Sequence, residues 1–364
     1  MLSKEESIQY SRQIQLKEVG NKGQELLKAS KVLVVGAGGL GCPVLIHLTT
    51  CGVGNITIID DDLVSLSNLP RQTLYDHSSI GKPKTEQAIK KLKLLNPSTT
   101  IKGINAKLNA SNASEIIKSV ELVIDCTDNL SARYLINDAC VLHNKPFIYG
   151  GVFKHEGQIA VFNYKGSATY RCLFEKQTLE TTNCENSGVM GFLPTIIGAY
   201  QANEALKVLV GYGQVLKNKL LIINSLNVQT NIIEFSRINH PRYKQLSANN
   251  LNASITETMH CENQLSHEID HSTFIKLLNE DIQLIDVREP NEQPKFNPPN
   301  TINIPAKLIL KSIDKIERNK RVILFCNSGK RSKNALLALK SNSYFNNIMS
   351  LKNGISALEH EKIK

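Results

Sequence analysis

Lys31 to Val35 is an apolar run that leads straight into Gly36-Ala-Gly38-Gly39-Leu-Gly41, and an apolar helical pattern follows. Glycines at these spacings allow a tight turn and let phosphate oxygens approach backbone N–H groups, and the positive end of the next helix adds to the attraction. Asp60 ends the next strand-like run, Asn55 to Ile59, where an acid can hold a ribose hydroxyl. Downstream the chain supplies Arg71, Lys84 and Asp128. Two cations and a metal-binding acid suit a triphosphate under attack better than a nicotinamide.

A second set of residues lies near the other end of the chain. Arg321 to Phe325 reads as a buried strand that delivers Cys326 to the loop Cys326-Asn-Ser-Gly329-Lys330-Arg331-Ser332, and a helix starts after it. Successive loop N–H groups can form an anion nest around the sulfur. Lys330, Arg331 and the helix N-terminus add positive charge, and all favour a thiolate or a persulfide anion. The plainer alternative is a packing cysteine at a strand end, for which a glycine-containing cationic loop is an odd place. Cys184 lies in Thr181-Thr-Asn-Cys184-Glu-Asn-Ser-Gly188, a polar stretch without periodicity that reads as a loop. Cys42, Cys126 and Cys140 fall in apolar patterns and read as core cysteines.

The elements that must position these residues fill a chain of 364 residues, long enough for two domains. Lys31 to Val35, Asn55 to Ile59, Thr100 to Asn105, Leu122 to Asp125 and Pro146 to Tyr149 read as strands. Ser79 to Asn96 and Ala132 to His143 are the clearest helices between them. This alternation predicts a mostly parallel sheet with helices on both faces. Gln158 to Tyr164, Lys219 to Ser225 and Val228 to Arg237 read as antiparallel strands, with a helix from Thr195 to Val210 among them. His240 to His267 is polar, rich in Asn, Ser and Gln, and reads as a linker. Gln283 to Val287, Arg321 to Phe325 and the helix Ser332 to Lys340 make a smaller α/β unit. The expected fold class is α/β: a Rossmann-like, mostly parallel sheet with an added antiparallel portion over residues 1–238, a linker over 239–267 and a small α/β domain over 268–364.

The formal net charge is +10, but the basic residues are spread without an arginine-rich tail or an RNA-binding motif. Nucleic acid is therefore not the expected partner. A positive surface suits nucleotides and small acidic protein partners. No apolar run approaches a membrane span, and Met1 to Tyr10 has no hydrophobic core of the signal-peptide kind. A cytoplasmic setting with reduced thiols is expected. None of the eight cysteines falls in a Cys-x-x-Cys pair, so a disulfide framework is not expected.

Five motifs occur in one order: Tyr10-Ser-Arg12-Gln-Ile, the Gly36 loop, Ser67-Asn68-Leu-Pro-Arg71-Gln, Gly81-Lys-Pro-Lys84 and Asp125-Cys-Thr-Asp128-Asn129. Over Tyr10 to Ile238 the chain thereby resembles the ThiF/MoeB/HesA adenylyltransferases, bacterial relatives of ubiquitin-activating enzymes, and in particular those that serve molybdopterin synthase. The resemblance implies ATP and Mg²⁺ as cofactors. It implies, as substrate, the C-terminal glycine carboxylate of a small ubiquitin-like sulfur-carrier protein ending in Gly-Gly. In such a site Arg71 and Lys84 would neutralise charge as pyrophosphate leaves, and Asp128, with Asn129 beside it, would hold Mg²⁺. Asp60 and Asp62 would hold the ribose, Gly36, Gly38, Gly39 and Gly41 would form the phosphate loop, and the Ser67-Asn68 turn would present Arg71. In the family the arginine matching Arg12 reaches the ATP of the other subunit, which implies a homodimer. Cys184 matches a position that in the family often links covalently to the activated carrier.

Leu284-Ile-Asp286-Val-Arg288-Glu-Pro and the Cys326 loop resemble a rhodanese module. The segment Phe296-Asn-Pro-Pro-Asn-Thr-Ile-Asn303-Ile-Pro305 departs from the Gly-His-Ile and Pro-Gly-Ala-x-Asn-Ile-Pro runs usual there. Many ThiF/MoeB relatives also hold a structural zinc with two Cys-x-x-Cys pairs. Here Thr169-Tyr-Arg-Cys172 keeps one of those cysteines and His240-Pro-Arg-Tyr243 keeps none, so no structural zinc is expected.

The implied chemistry has two steps. The carrier carboxylate is adenylated, and sulfur held as a persulfide on Cys326 then attacks the acyl carbon, with Cys184 as a candidate intermediate. A sulfur donor such as a cysteine desulfurase stands upstream. Molybdopterin synthesis is favoured over the same chemistry on a thiamine-pathway carrier. An NAD-dependent oxidoreductase would share the glycine loop and Asp60 but leave Arg71, Lys84 and Asp128 without a use. A non-catalytic carrier-binding scaffold would not need them, nor Arg12.

Overall fold

Five strands of apolar, largely β-branched sequence pair in parallel: β1 (Lys31–Val35), β2 (Asn55–Ile59), β3 (Thr100–Ile104), β4 (Leu122–Asp125) and β5 (Phe147–Phe153), in the order β3-β2-β1-β4-β5. In the computed structural model β4 is buried throughout, as a parallel strand covered by helices on both faces should be. The sheet continues with antiparallel β6 (Glu156–Phe162), β7 (Lys219–Asn224) and β8 (Gln229–Glu234). The mostly parallel sheet with an added antiparallel portion is the architecture that the sequence predicts. The structure describes residues 1–174, 188–244, 246–251, 268–293, 296, 298–317, 319–340 and 347–357. The chain divides into two compact units, Met1–Ile255 and Thr256–Lys364.

Alternate side chains of β1 feed two cores. Val32 and Val34 join Leu45 and Leu48 of the helix Gly41–Thr50 on one face. Leu33 and Val35 join Leu135 and Ile136 of the helix Leu130–Leu142 on the other. The long helix Phe192–Val210 lies close on the helix Gly41–Thr50, and Gly198 permits this because a Cβ there would be 2.5 Å from Pro43. Strand order reverses between β1 and β4, which opens a crevice beyond their carboxyl ends.

The two largest shifts of element boundaries from expectation have local causes. The helix expected from Ser79 begins at Lys84, because Pro83 stands at its N-cap and Gly81 turns the chain at φ +79°. β5 runs on to Phe153 because it folds back on β6 as a hairpin. In the second unit, β9 (Glu268–Ile269), β10 (Ile282–Asp286), β11 (Thr301–Asn303), β12 (Arg321–Phe325) and β13 (Ile348–Leu351) form a parallel sheet in the order β11-β10-β12-β13-β9.

Part of the expected linker is structured. Leu251 is fully buried in the core around Tyr134 and Phe147. Arg242 donates to Asp138 at 2.6 Å, and Arg171 grips the same carboxylate from the other side at 2.7 and 2.9 Å. The Tyr243 hydroxyl lies 2.5 Å from Thr169 Oγ1 and accepts from Asn137 at 3.2 Å. Cys172 Sγ accepts from the Ile238 N–H at 3.4 Å. Arg242 and Tyr243 are half-buried by pairing with the buried Asp138, Asn137 and Thr169, so apolar periodicity gives no sign of it. The rest of that stretch, 252–267, lies outside the described residues.

Burial pushes the Asp138 carboxyl up, but Arg171 and Arg242 outweigh it and hold the group below the ordinary aspartate range. Asp138→Ala leaves two half-enclosed cations facing each other, at a cost of about 3–5 kcal/mol. The expected outcome is a fall of roughly 6–20 °C in the first unit's thermal midpoint. The pair is intact above the unfolded aspartate pKa of about 3.9 and is lost as pH falls through the depressed folded value. The variant's deficit should therefore shrink in acid, which melting curves across pH will check.

Candidate active site

At the crevice the turn after β1 lies against the turn after β4. Gly36 has φ +94°, and a Cβ there would sit 2.8 Å from the carbonyl oxygen of Cys126. A Cβ on Gly41 would sit 2.1 Å from the Gly36 oxygen. Between them Ala37 is held at both ends of its backbone: its N–H donates to Asp60 Oδ2 at 2.7 Å, and its C=O accepts from the Tyr75 hydroxyl at 2.8 Å. Asp60 Oδ1 accepts from the Asp62 N–H at 2.9 Å. Burial pushes the Asp60 carboxyl up, partly offset by the Ala37 N–H and the Lys84 charge.

Lys84 opens the helix Lys84–Leu95, where a cation opposes the helix dipole. Asp62 compensates it across a 2.7 Å ion pair, with the lysine side chain 5% exposed and the aspartate 65%. Asp62 was expected to face ribose; here its carboxylate is the partner of Lys84. Arg71 follows the short turn Leu66–Asn68, and its Nη1 donates to the Ser67 carbonyl at 2.8 Å. Asn68 stiffens that turn by accepting from the Ser65 N–H at 3.0 Å. Asn129 caps the helix Leu130–Leu142 through the Ala132 N–H at 2.8 Å, and Asp128 before it is exposed.

These segments enclose one cleft of about 770 Å³, a size suited to a nucleotide and a chain end. Gly36, Gly38, Gly39, Asp60, Asp62, Asn68, Arg71, Lys84, Asp128 and Asn129 all line it. Gly41 and Ser67 are absent from the lining and support it from behind. Arg12 is exposed on the short helix Ser11–Ile14 and does not line the cleft of its own chain. Cys184 lies outside the described residues. Lys107, Arg133, Phe153 and Lys154 also line the cleft and were not anticipated. The usable signal was position: Lys107 follows β3 and Arg133 follows β4, at the carboxyl edge where ligands bind in such sheets.

The second unit holds Cys326 at the end of β12, fully buried. Its sulfur accepts from the Ser332 N–H at 3.5 Å and from the Ser332 hydroxyl at 3.6 Å. Gly329, at φ +80°, lets the loop pass Asn353, whose N would be 2.7 Å from a Cβ. Arg331 is bound bidentately to Glu292 at 2.5 and 2.7 Å, so its charge is compensated and the loop is less cationic than its sequence suggests. Arg288 makes a similar pair with Asp286.

A glycine turn at the switch point of an open parallel sheet, facing cations and an acid, defines a nucleotide-binding α/β protein. The chain belongs to the ThiF family, which residues 10–246 match. Residues 270–361 match the rhodanese-like domain. The chain is 35% identical over 371 residues to the probable molybdopterin-synthase adenylyltransferase of Porphyra purpurea, covering 98% of this chain and 93% of that one. It is 43% identical over 231 residues to the sulfur carrier protein adenylyltransferase of Thermus thermophilus, covering 62% and 85%. It is 37% identical over 331 residues to the adenylyltransferase and sulfurtransferase of Aedes aegypti, covering 85% and 75%. Among solved structures, E. coli MccB with ATP shares the fold at a TM-score of 0.56 and 24% identity, over 63% of this chain and 71% of that one.

Gly41→Ala must push the helix start away from the Gly36 carbonyl. Calorimetric titration is expected to show adenine-nucleotide affinity falling at least about tenfold, since displacements of an ångström at a site cost that much or more.

Proposed function

We propose that this protein uses ATP to adenylate the C-terminal carboxylate of a small ubiquitin-like sulfur-carrier protein ending in Gly-Gly, and then delivers sulfur to it. The observation that carries the reading is the convergence of the glycine turn, Arg71, Lys84 and Asp128 on one cleft. A carboxylate is a poor electrophile, and joining it to AMP supplies a leaving group. Its oxygen attacks the α-phosphorus while the bond to pyrophosphate breaks. Both reactants are anions, so the site must neutralise charge on the departing group. Arg71, tethered to Ser67, and Lys84, paired with Asp62, place their heads at the cleft for that task.

Asp128 offers an exposed carboxylate, and Mg²⁺ is commonly held by one or two carboxylates together with substrate phosphates. The residues present therefore fit the ion, which when bound there offsets phosphate charge. Asp60 serves the ribose side, with Asn129 at the edge of the cleft. Arg12 serves the cleft of a second copy, in a homodimer.

In the second step the terminal sulfur of a Cys326 persulfide attacks the acyl carbon and AMP leaves. A second thiol, for which Cys184 is the candidate, then cleaves the acyl disulfide and frees a carrier thiocarboxylate. That step leaves Cys184 and Cys326 joined as a disulfide; a dithiol reductant returns both to thiols, itself becoming a disulfide, and a cysteine desulfurase then recharges Cys326 with persulfide sulfur. The name of the Porphyra relative favours molybdopterin synthesis as the setting. No helix among the described residues is long and apolar enough to cross a membrane.

The zinc positions of the resemblance hold Thr169, Cys172, His240 and Tyr243, and the hydroxyl contacts of Thr169 and Tyr243 fasten that corner instead. Metal analysis is expected to find well below one zinc per chain; one tightly held zinc would overturn this. The central test is ATP–pyrophosphate exchange that depends on a Gly-Gly-ended carrier. Arg71→Ala should reduce it by about 100-fold or more without shifting thermal unfolding, and Cys326→Ser should leave it intact. Unchanged exchange in Arg71→Ala would show the site to be misplaced.

A further inference from the structure

Arg133 lines the cleft but has no part in the chemistry above. It sits in the first turn of the helix Leu130–Leu142, where a positive charge is disfavoured by the helix dipole. Its side chain is only 12% exposed. Nη2 donates to the Thr127 carbonyl at 3.0 Å and to the Gly150 carbonyl at 3.5 Å. Nη1 donates to the Tyr149 hydroxyl at 3.4 Å, and the guanidinium carbon lies 5.0 Å from the Tyr149 ring centre.

The counter-ion is Asp125, wholly buried, with Oδ2 3.9 Å from Arg133 Nε. Neither of those two atoms has a hydrogen-bond partner among the described residues. A buried pair with unfilled valences is a poor way to gain stability. The other carboxylate oxygen of Asp125 and one nitrogen of Arg133 meet on Thr127. Asp125 Oδ1 accepts from the Thr127 N–H at 3.0 Å and from its hydroxyl at 2.7 Å, while Arg133 takes its carbonyl. Thr127 is thus gripped at every polar atom, and the peptide leading into Asp128 is fixed.

We propose that Arg133 is a positioning residue for the metal-bound nucleotide: through Thr127 it sets Asp128 in the cleft. Through Gly150 it also ties that point to the β5–β6 hairpin, whose Phe153 and Lys154 line the same cleft. This rests on the reading of Asp128 as the Mg²⁺ acid. Lysine would keep the charge but lacks the planar fork that spans two carbonyls and stacks on a ring.

The test titrates the full-length protein with a non-hydrolysable ATP analogue at rising Mg²⁺, with thermal melting as a folding control. In the wild-type protein Mg²⁺ should strengthen binding, and Asp128→Ala should remove that gain. Arg133→Lys is expected to bind the metal-free analogue about as the wild type does yet lose at least about tenfold of the Mg²⁺ gain. Thr127→Val, which keeps the shape and removes the hydroxyl grip, should lose less in the same direction; it carries the test if Arg133→Lys no longer melts cooperatively. A wild-type Mg²⁺ response in the folded variants overturns the positioning role alone. A wild-type protein that binds the analogue without any Mg²⁺ gain overturns the Asp128 reading, and this role with it.

Discussion

The carbonyl oxygen of Cys126 lies where a side chain at position 36 would have to go. That contact between two turns is possible only with glycine at 36, and the cleft depends on it. It brings the phosphate-sized loop after β1 against the acid-bearing loop after β4. The strand order that places β1 beside β4 makes the meeting possible, and the apolar runs on both strands make that order stable. Gln201 of the long helix secures the same point by donating to the Asp125 carbonyl at 2.7 Å. The helix that buries it also covers the β1 side of the sheet, so core packing and cleft geometry are set together.

Charge is handled at this edge by local compensation. Lys84 and Arg133 each sit where a helix dipole disfavours a cation, and each faces an aspartate, Asp62 or Asp125. The two pairs differ in consequence. Asp62 is largely exposed, so Lys84 can exchange its partner for a phosphate at little desolvation cost. Asp125 is sealed in, so the Arg133 pair works as part of the frame. A site that must receive a polyanion needs both kinds: cations that can be released, and cations that cannot move. Arg331 in the second unit is bound bidentately to Glu292, which leaves the Ser332 donors as the direct contacts of the Cys326 sulfur among the interactions described above.

Much of the sheet was legible because parallel strands are continuous apolar runs, and β1, β2 and β4 begin and end where their sequences say. The same reasoning placed the start of one helix at Ser79, since its periodicity extends through Pro83 while its backbone does not. Residues 240–251 were unreadable for a different reason. Arg242 and Tyr243 are half-buried against partners about a hundred and about seventy positions away, Asp138 and Thr169, and polar pairing has no period. The cleft shows the same division. Gly36, Asp60, Arg71, Lys84 and Asp128 sit in short motifs whose chemistry is local. Tyr75, Arg133 and Gln201 act on backbone carbonyls that only the fold brings near. Cys184 could be singled out from sequence, but its surroundings lie outside the described residues.

The proposed pairing of an adenylating cleft with a sulfur-bearing cysteine is tested most directly by the intact mass of a carrier ending in Gly-Gly. The carrier is incubated with the full-length protein, ATP, Mg²⁺ and a persulfide donor, and then freed of small molecules. The expected result is a mass gain equal to the difference between one sulfur and one oxygen, located at the C-terminal glycine and dependent on ATP. A carrier of unchanged mass, recovered from a protein that binds ATP and accepts persulfide sulfur on Cys326, would contradict the proposal.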